Sequence, residues 1–195
     1  MKSLICGIGI LAATLCPALP AAAQSAAKTP MVKALENAMT PGEGQKRLTP
    51  LIGTFNVVIK TWVTPAGPPI ESTAASVNTW VLGGRYVQMM LNGDAPNDPF
   101  SGTGHIAYDN VTKNYQAAWM DTGSTGITLY TGKLDPSGKT ALLKGSIPNP
   151  ISGKPSPVEL RLTIQPDGSH VTQLWGQGNG AKMVKLMELQ YTKVK

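Results

Sequence analysis

The stretch GTGHIAYDNVTKNYQAAWMD, residues 102–121, concentrates side chains of the types that do chemistry in proteins. It holds one of the two histidines of the chain, two of the five tyrosines, one of the four tryptophans and two carboxylates. An imidazole beside a carboxylate can act as a general base or a metal ligand, and aromatic rings can line a pocket. The stretch is therefore either part of a functional site or a well-packed hairpin.

A candidate ligand-binding site can be assembled from this stretch and the preceding strand. Arg85 is its strongest candidate, because a guanidinium group can donate two parallel hydrogen bonds to a carboxylate or phosphate. Alternatively, Arg85 pairs with Asp109 or Asp121 on a neighbouring strand and only fixes the register. The full set of candidate ligand-binding residues is Arg85, Tyr86, His105, Tyr108, Trp119 and Asp121.

The histidines do not predict a metal site or a cofactor. Structural zinc takes four protein ligands and catalytic zinc about three, yet the only other histidine, His170, lies far along the chain. His105 is interpreted as a surface or hydrogen-bonded strand residue, with a pocket residue and a metal or haem ligand as alternatives. Strand alternation places Thr103, His105 and Ala107 on one face of the strand. Gly104 and Tyr108 then lie on the opposite face.

No catalytic residue is predicted. The chain has no G-x-S-x-G elbow, H-E-x-x-H helix, P-loop or strand-linked G-x-G-x-x-G. Its eleven carboxylates are few, and most lie in predicted turns rather than as an inward pair. These absences favour a binding protein over an enzyme.

Residues 1–23 have the pattern of a secretory signal. Lys2 gives the positive start, residues 4–15 form an apolar run, and Ala21–Ala23 provide small residues for cleavage after Ala23. The sequence therefore predicts a periplasmic or secreted protein. The apolar run is shorter than the roughly 20 residues of a membrane span, so no stable membrane insertion is expected.

The mature chain is expected to lack disulfides, because both cysteines, Cys6 and Cys16, lie in the signal. The formal net charge of the full chain is +6, but its basic residues are scattered rather than clustered. Scattered charge serves solubility, so nucleic-acid binding is not expected.

The elements that must position the candidate residues are strands. Residues 24–49 are predicted as a tether with a short helix, in which Met31, Leu35 and Met39 recur at helical spacing before Pro41-Gly42. Turn motifs such as LDPSGK and QPDGSH then separate short segments of period two. Ten strands are predicted at 52–63, 70–82, 85–93, 101–109, 114–121, 125–135, 140–147, 157–165, 169–177 and 182–194.

Ten short strands without a crossover helix predict an all-β domain over residues 50–195, with an antiparallel up-and-down sheet. Closure into a barrel removes the exposed edges of such a sheet. A barrel of eight to ten strands holds either packed side chains or one small ligand.

Four motifs, in order, resemble a known family: TPGEGQKRLTPLIGTFNV, TWVLGGRYVQ, PFSGTGHIAYDNVTKNYQAAWMDTGSTGI and LMELQYTK. The chain resembles the bacterial family called domain of unknown function 1579 from about Thr40 to Lys193. The resemblance implies a calycin-like β-barrel, similar to lipocalins and fatty-acid-binding proteins, and it implies no reaction.

The chain departs from the family pattern at two positions. Members usually carry tryptophan where Phe55 stands, and histidine where Gln45 stands. A phenylalanine still buries a large ring at the barrel end, whereas a function of the histidine would be absent here.

Three functions remain open from the sequence. The leading hypothesis is a barrel that binds a small, partly apolar molecule, since methionines are frequent in its strands. The second is a non-catalytic envelope interaction or stress protein. The third is an enzyme acting on a small envelope metabolite through Arg85, His105, Tyr108 or Asp121.

Overall fold

The computed structural model describes residues 29–93, 100–177 and 182–194. The predicted signal segment, its cleavage point after Ala23 and residues 24–28 of the tether lie outside the described residues.

The predicted N-terminal helix is confirmed as α1, Pro30–Met39. It begins where Thr29 Oγ1 accepts a hydrogen bond from the Val32 N–H, and where Pro30 supplies a first-turn residue that needs no donor. A second short helix, α2, spans Glu43–Lys46, and a 3₁₀ helix spans Thr49–Leu51. None of the helices in the described ranges is long and apolar enough to span a membrane.

Ten strands follow, within a few residues of the predicted bounds. They are β1 Gly53–Thr61, β2 Ile70–Val81, β3 Tyr86–Gly93, β4 Ser101–Asp109, β5 Asn114–Asp121, β6 Thr128–Leu134, β7 Thr140–Pro148, β8 Pro155–Ile164, β9 His170–Gln177 and β10 Met183–Lys193.

The strands form a closed barrel in which each strand pairs antiparallel with its neighbours in sequence. β1 closes the barrel by pairing with β10, with Val57 opposite Tyr191 and Ile59 opposite Leu189. Because closure satisfies both edges, the sheet leaves no long unpaired strand. The prediction of an antiparallel barrel of about ten strands is confirmed.

The α2 and 3₁₀ helices pack over one end of the barrel, here called the plugged end, where β1, β3, β5, β7 and β9 begin. Leu48 and Leu51 are 0% and 2% exposed there and belong to the main core cluster. Gln45 links this segment to the barrel, because its Nε2 donates to the Tyr108 carbonyl at 2.8 Å. The other end, where the even-numbered strands begin, is called the far end.

Asn78 fixes the 3₁₀ helix to the barrel wall from a site that is 1% exposed. Its Nδ2 donates to the Leu51 carbonyl at 2.9 Å, and its Oδ1 accepts from Ser76 Oγ at 2.8 Å. These bonds satisfy polar groups that burial would otherwise leave unpaired.

Replacing Asn78 by alanine is expected to lower the free energy of unfolding by about 1–3 kcal/mol, because buried groups lose their partners. Urea unfolding followed by circular dichroism measures the loss. The matched control is Asn92→Ala, which removes an exposed amide bonded to Ser101 Oγ and should cost about 0.5 kcal/mol or less. Equal losses in the two variants would contradict this role of Asn78.

Candidate functional site

The strand alternation of β4 separates two of the predicted site residues. Ile106 is 4% exposed and belongs to the core, so Gly104, Ile106 and Tyr108 face inward. His105 lies on the outer face, opposite Gln88 of β3 and Ala118 of β5. The two faces are those that alternation predicts.

Arg85 does not lie in a strand. It lies in the turn between β2 and β3, where Leu82, Gly83 and Gly84 all adopt positive φ angles. Its Nη1 donates to the Leu82 carbonyl at 3.1 Å and to the Gly83 carbonyl at 3.5 Å. The guanidinium group thus stabilises the turn, and it makes no ion pair with Asp109 or Asp121.

Tyr86, the first residue of β3, faces outward and is 39% exposed. It pairs with Ala107 while Gln88 pairs with His105, so Tyr86 and His105 are diagonal neighbours on the outer wall. The structure therefore brings two of the six predicted residues together outside the barrel.

Trp119 and Asp121 come together inside it. Both face inward from β5, and the Trp119 Nε1 donates to Asp121 Oδ2 at 2.8 Å. The indole lies across the backbone of Gly102 and Gly104, where a Cβ would meet its ring atoms at 2.3 and 2.6 Å. Only glycine at these positions of β4 leaves room for the ring. The opposite oxygen, Asp121 Oδ1, accepts from the Gly123 N–H at 3.0 Å and fixes the following turn.

Tyr108 lies at the plugged end, far from Asp121. It pairs with Tyr115, the rings being 4.9 Å apart, and Tyr115 precedes Asp121 by six residues of β5, or about 20 Å of strand. The enzyme hypothesis placed its candidates together in one barrel mouth. The structure puts Tyr108 and Asp121 near opposite ends of the inner wall, with His105 on the outer face and Arg85 in a turn, so it does not bring them together. The ligand-binding role of the six residues stays a prediction.

The inner wall contains a polar group that the sequence did not single out, Tyr130 of β6. Burial and the nearby Asp121 carboxylate raise the pKa of Tyr130 to about 12, so its hydroxyl stays protonated. Within the described ranges this hydroxyl makes no hydrogen bond, yet no fully buried side-chain nitrogen or oxygen there lacks one. The Tyr130 hydroxyl therefore keeps some contact with solvent.

A second group that the sequence did not single out is an aromatic stack at the plugged end. His170, 3% exposed, stacks on Tyr191 with ring centroids 4.1 Å apart, and Phe55 meets both rings edge-on. Burial lowers the pKa of His170 to about 4, and its Nδ1 lies 3.3 Å from the Gly168 carbonyl. His170 is therefore neutral at pH 7.

The inner wall is filled unevenly. Phe55, Val57 and Leu91 are at most 1% exposed. Other inward-facing apolar side chains keep partial solvent contact even though the wall encloses them: Met89, Trp119, Ile147, Leu160, Leu174 and Met187. The interior of the barrel that these side chains line is here called the lumen.

The remaining features of the described surface are weaker candidates. A groove of about 490 Å³ on the outer wall is lined mostly by short uncharged side chains, including Asn56, Thr73 and Asn92. No group of three or more His, Cys, Asp or Glu side chains within the described ranges could hold a metal ion.

The fold defines a ten-stranded β-barrel protein. Comparisons with known proteins agree with this class. Residues 40–193 match the family described as "Protein of unknown function (DUF1579)", and the chain belongs to that family. A solved structure, "Crystal Structure of Rv2717c from M. tuberculosis", is similar in fold: the TM-score is 0.59 at 16% sequence identity, over 80% of this chain and 100% of that one. No curated protein matches the chain.

Proposed function

We propose that this protein is exported and binds a small, partly apolar molecule in the lumen. The main observation behind this proposal is that several inward-facing apolar side chains remain partly accessible to solvent, among them Trp119, Leu160, Leu174 and Met187. An apolar ligand that covers this surface removes it from water. The free energy of binding then becomes more favourable by about 25 cal/mol per Å² of apolar surface covered.

Polar groups on the inner wall give such a ligand a preferred orientation. The Tyr130 hydroxyl is a protonated donor without a partner among the described residues, and the same holds for Tyr191, whose pKa burial also raises. Trp119 offers a flat ring held by Asp121. A ligand with an apolar body and one or two acceptor atoms fits this arrangement.

Wild-type protein is expected to bind the neutral fluorescent probe N-phenyl-1-naphthylamine, and Leu174→Asp should weaken that binding about tenfold or more, because a carboxylate then lies on the apolar lining. Fluorescence titration measures both. The matched control is Leu142→Asp on β7, an outer residue that is 42% exposed, which should keep wild-type affinity.

Leu160→Trp provides a second variant that stays apolar and fills the lumen instead, with the fold checked by circular dichroism. Absence of probe binding by the wild-type protein, or equal losses in the Leu142 and Leu174 variants, would contradict the proposal. Native mass spectrometry of the protein from its own cells then identifies the natural ligand.

Export rests on the signal pattern of residues 1–23. Protein recovered from the periplasmic fraction should begin at Gln24 on N-terminal sequencing. A full-length chain confined to the cytoplasm would contradict export without affecting the lumen.

A non-catalytic interaction protein is the alternative, and helix α1 favours it. Met31, Leu35 and Met39 share one face of α1 and are 73%, 51% and 59% exposed. Scattered exposed apolar residues are ordinary, but a contiguous face marks an interaction surface. The probe titration separates the two functions, because a barrel that serves only as a scaffold is not expected to bind the probe in its lumen.

A further inference from the structure

A cleft of about 250 Å³ opens on the outside of the plugged end, between α2 and the ends of β4, β5 and β6. Its lining combines basic side chains with two tyrosines: Glu43, Gly44, Arg47, Tyr108, Lys113, Tyr115, Lys133 and Leu134. None of the side chains named above as lining the lumen also lines this cleft.

Three cationic side chains converge on the cleft from separate elements. Arg47 follows α2, Lys113 ends the turn between β4 and β5, and Lys133 lies in β6. None of the three makes an ion pair with another residue in the described ranges. The cleft lining therefore carries three cations against one acid, Glu43.

The carboxylates nearest to these cations have other partners. Glu43 pairs with Lys46 at 2.6 Å. Asp109 is held in its own turn by the Val111 N–H and Thr112 Oγ1, at 2.8 and 2.7 Å. Asp135 likewise accepts from Ser137 and Thr140 in the turn between β6 and β7. Glu43 and Asp109 interact electrostatically with Arg47 and Lys113, but none of the three acids makes an ion-pair contact with a cleft cation in the described part of the chain.

The floor of the cleft is rigid. Tyr115 donates its hydroxyl hydrogen to the Gly44 carbonyl at 3.0 Å, and the Tyr108 ring packs against Gly44 so closely that a Cβ there would overlap it. The Tyr108 hydroxyl has no hydrogen-bond partner among the described residues. Lys113 adopts φ +58°, a left-handed conformation that favours glycine, and it directs a charged side chain where a turn of this shape usually has none.

We propose that this cleft binds a compact oxyanion, a phosphate group in free form or as a phosphate monoester, between Arg47, Lys113 and Lys133. A guanidinium group can hold two phosphate oxygens at once, and two ammonium groups supply the remaining charge. The Tyr108 hydroxyl is available as a neutral donor. The groove on the outer wall, by contrast, is lined by no charged side chain.

The test is a ³¹P NMR titration of the intact mature protein with inorganic phosphate at low ionic strength, where surface charges are least screened. Wild-type protein is expected to bind with a Kd of about 1 mM or below. Arg47→Gln should raise the Kd about tenfold or more, since it removes a charge-assisted pair of hydrogen bonds. Lys133→Gln should raise it as well.

Two variants separate a built site from general charge. Lys144→Gln removes one positive charge from an exposed position of β7 outside the cleft and should leave the Kd within about twofold. Glu43→Gln removes the single acid of the lining and should lower the Kd. No phosphate binding by the wild-type protein, or equal weakening by the Arg47 and Lys144 variants, would overturn the proposal.

A second arm distinguishes the source of the phosphate group. Phosphatidylcholine vesicles with and without phosphatidic acid test a lipid headgroup, and phenyl phosphate tests a soluble monoester. Binding of either that is lost in Arg47→Gln supports the cleft, and the lumen titration with a neutral probe should be unchanged in that variant.

Discussion

Replacing Phe55 by alanine is expected to lower the free energy of unfolding by about 3–5 kcal/mol. Phe55 is 0% exposed and is the largest of the fully buried side chains. Its ring meets the His170 and Tyr191 rings edge-on, at centroid distances of 4.9 and 6.0 Å. Truncation removes the transfer free energy of the ring, leaves a cavity and breaks both aromatic contacts.

Chemical denaturation in urea measures this loss as a lower midpoint at an unchanged slope. The chain contains only one other phenylalanine, Phe100, which is partly buried against the same cluster near the far end. Phe100→Ala is the matched control and should cost clearly less. Equal losses would mean that the stack at the plugged end adds nothing beyond ordinary burial.

The position of Phe55 explains why one departure from the family pattern is tolerated. The resemblance implies tryptophan at this position, and Phe55 fills it with a large ring that meets His170 and Tyr191 edge-on. Gln45, the other departure, is occupied with structural bonds: its Oε1 accepts from the Gly42 N–H at 2.8 Å while its Nε2 donates to Tyr108.

The strands of the barrel were predictable because each carries its own signal of period two between turns that need Gly, Pro or Asp. The segments SGTGHIAYD and NYQAAWMD coincide with β4 and β5 to the residue. The pairing of Trp119 with Asp121 follows from the same rule, since residues two apart in a strand share a face.

The place of Arg85 was predicted wrongly, for a local reason. Its strand signal begins at Tyr86, and the two glycines before it allow a turn in which three successive residues have positive φ. The turn therefore extends through Arg85, and the guanidinium group donates to the turn carbonyls of Leu82 and Gly83, while its ligand-binding role stays a prediction. The Gly-Gly pair ahead of the strand is the feature of the sequence from which this turn could have been predicted.

The role of His170 could not be read from β9, because the alternation there is ambiguous. Each face mixes apolar and polar residues: one carries His170, Thr172, Leu174 and Gly176, and the other carries Val171, Gln173, Trp175 and Gln177. In the structure His170 is buried, while Trp175 lies outside under the Arg161 guanidinium group at 4.2 Å. Only the pairing of β9 with both neighbours decides the face.

Acidification is expected to destabilise the protein through His170. The folded state holds the pKa of His170 at about 4, mainly through burial, whereas an unfolded histidine has a pKa of about 6.5. The unfolded state therefore binds more protons between these two values, and stability falls as the pH falls from about 6.5 to about 4. The full difference is about 3 kcal/mol, of which about 2 kcal/mol is lost between pH 7 and pH 5.

The groups that face His170 determine the sign of this effect. Phe55 and Tyr191 cover the ring, and the positive charge of Lys193 disfavours protonation further, while only the Gly168 carbonyl favours it. Hydrogen bonds lower the pKa of Asp109, Asp135 and Glu188, so these carboxylates are ionised in the folded protein between pH 7 and pH 5. Between pH 7 and pH 5, the imidazole is therefore the main source of the change.

The measurement is urea unfolding at pH 7, 6 and 5 for wild-type protein and two histidine variants. His170→Phe keeps an aromatic ring against Tyr191 but cannot take up a proton, so its unfolding free energy should change little over this range. His105→Phe makes the same substitution on the outer wall, where the side chain is partly exposed, and should keep the wild-type pH dependence. A wild-type slope that survives in His170→Phe, or disappears in His105→Phe, would show that the acid sensitivity arises elsewhere. If the slope follows His170, the stack over the plugged end is the part of the fold that senses acid.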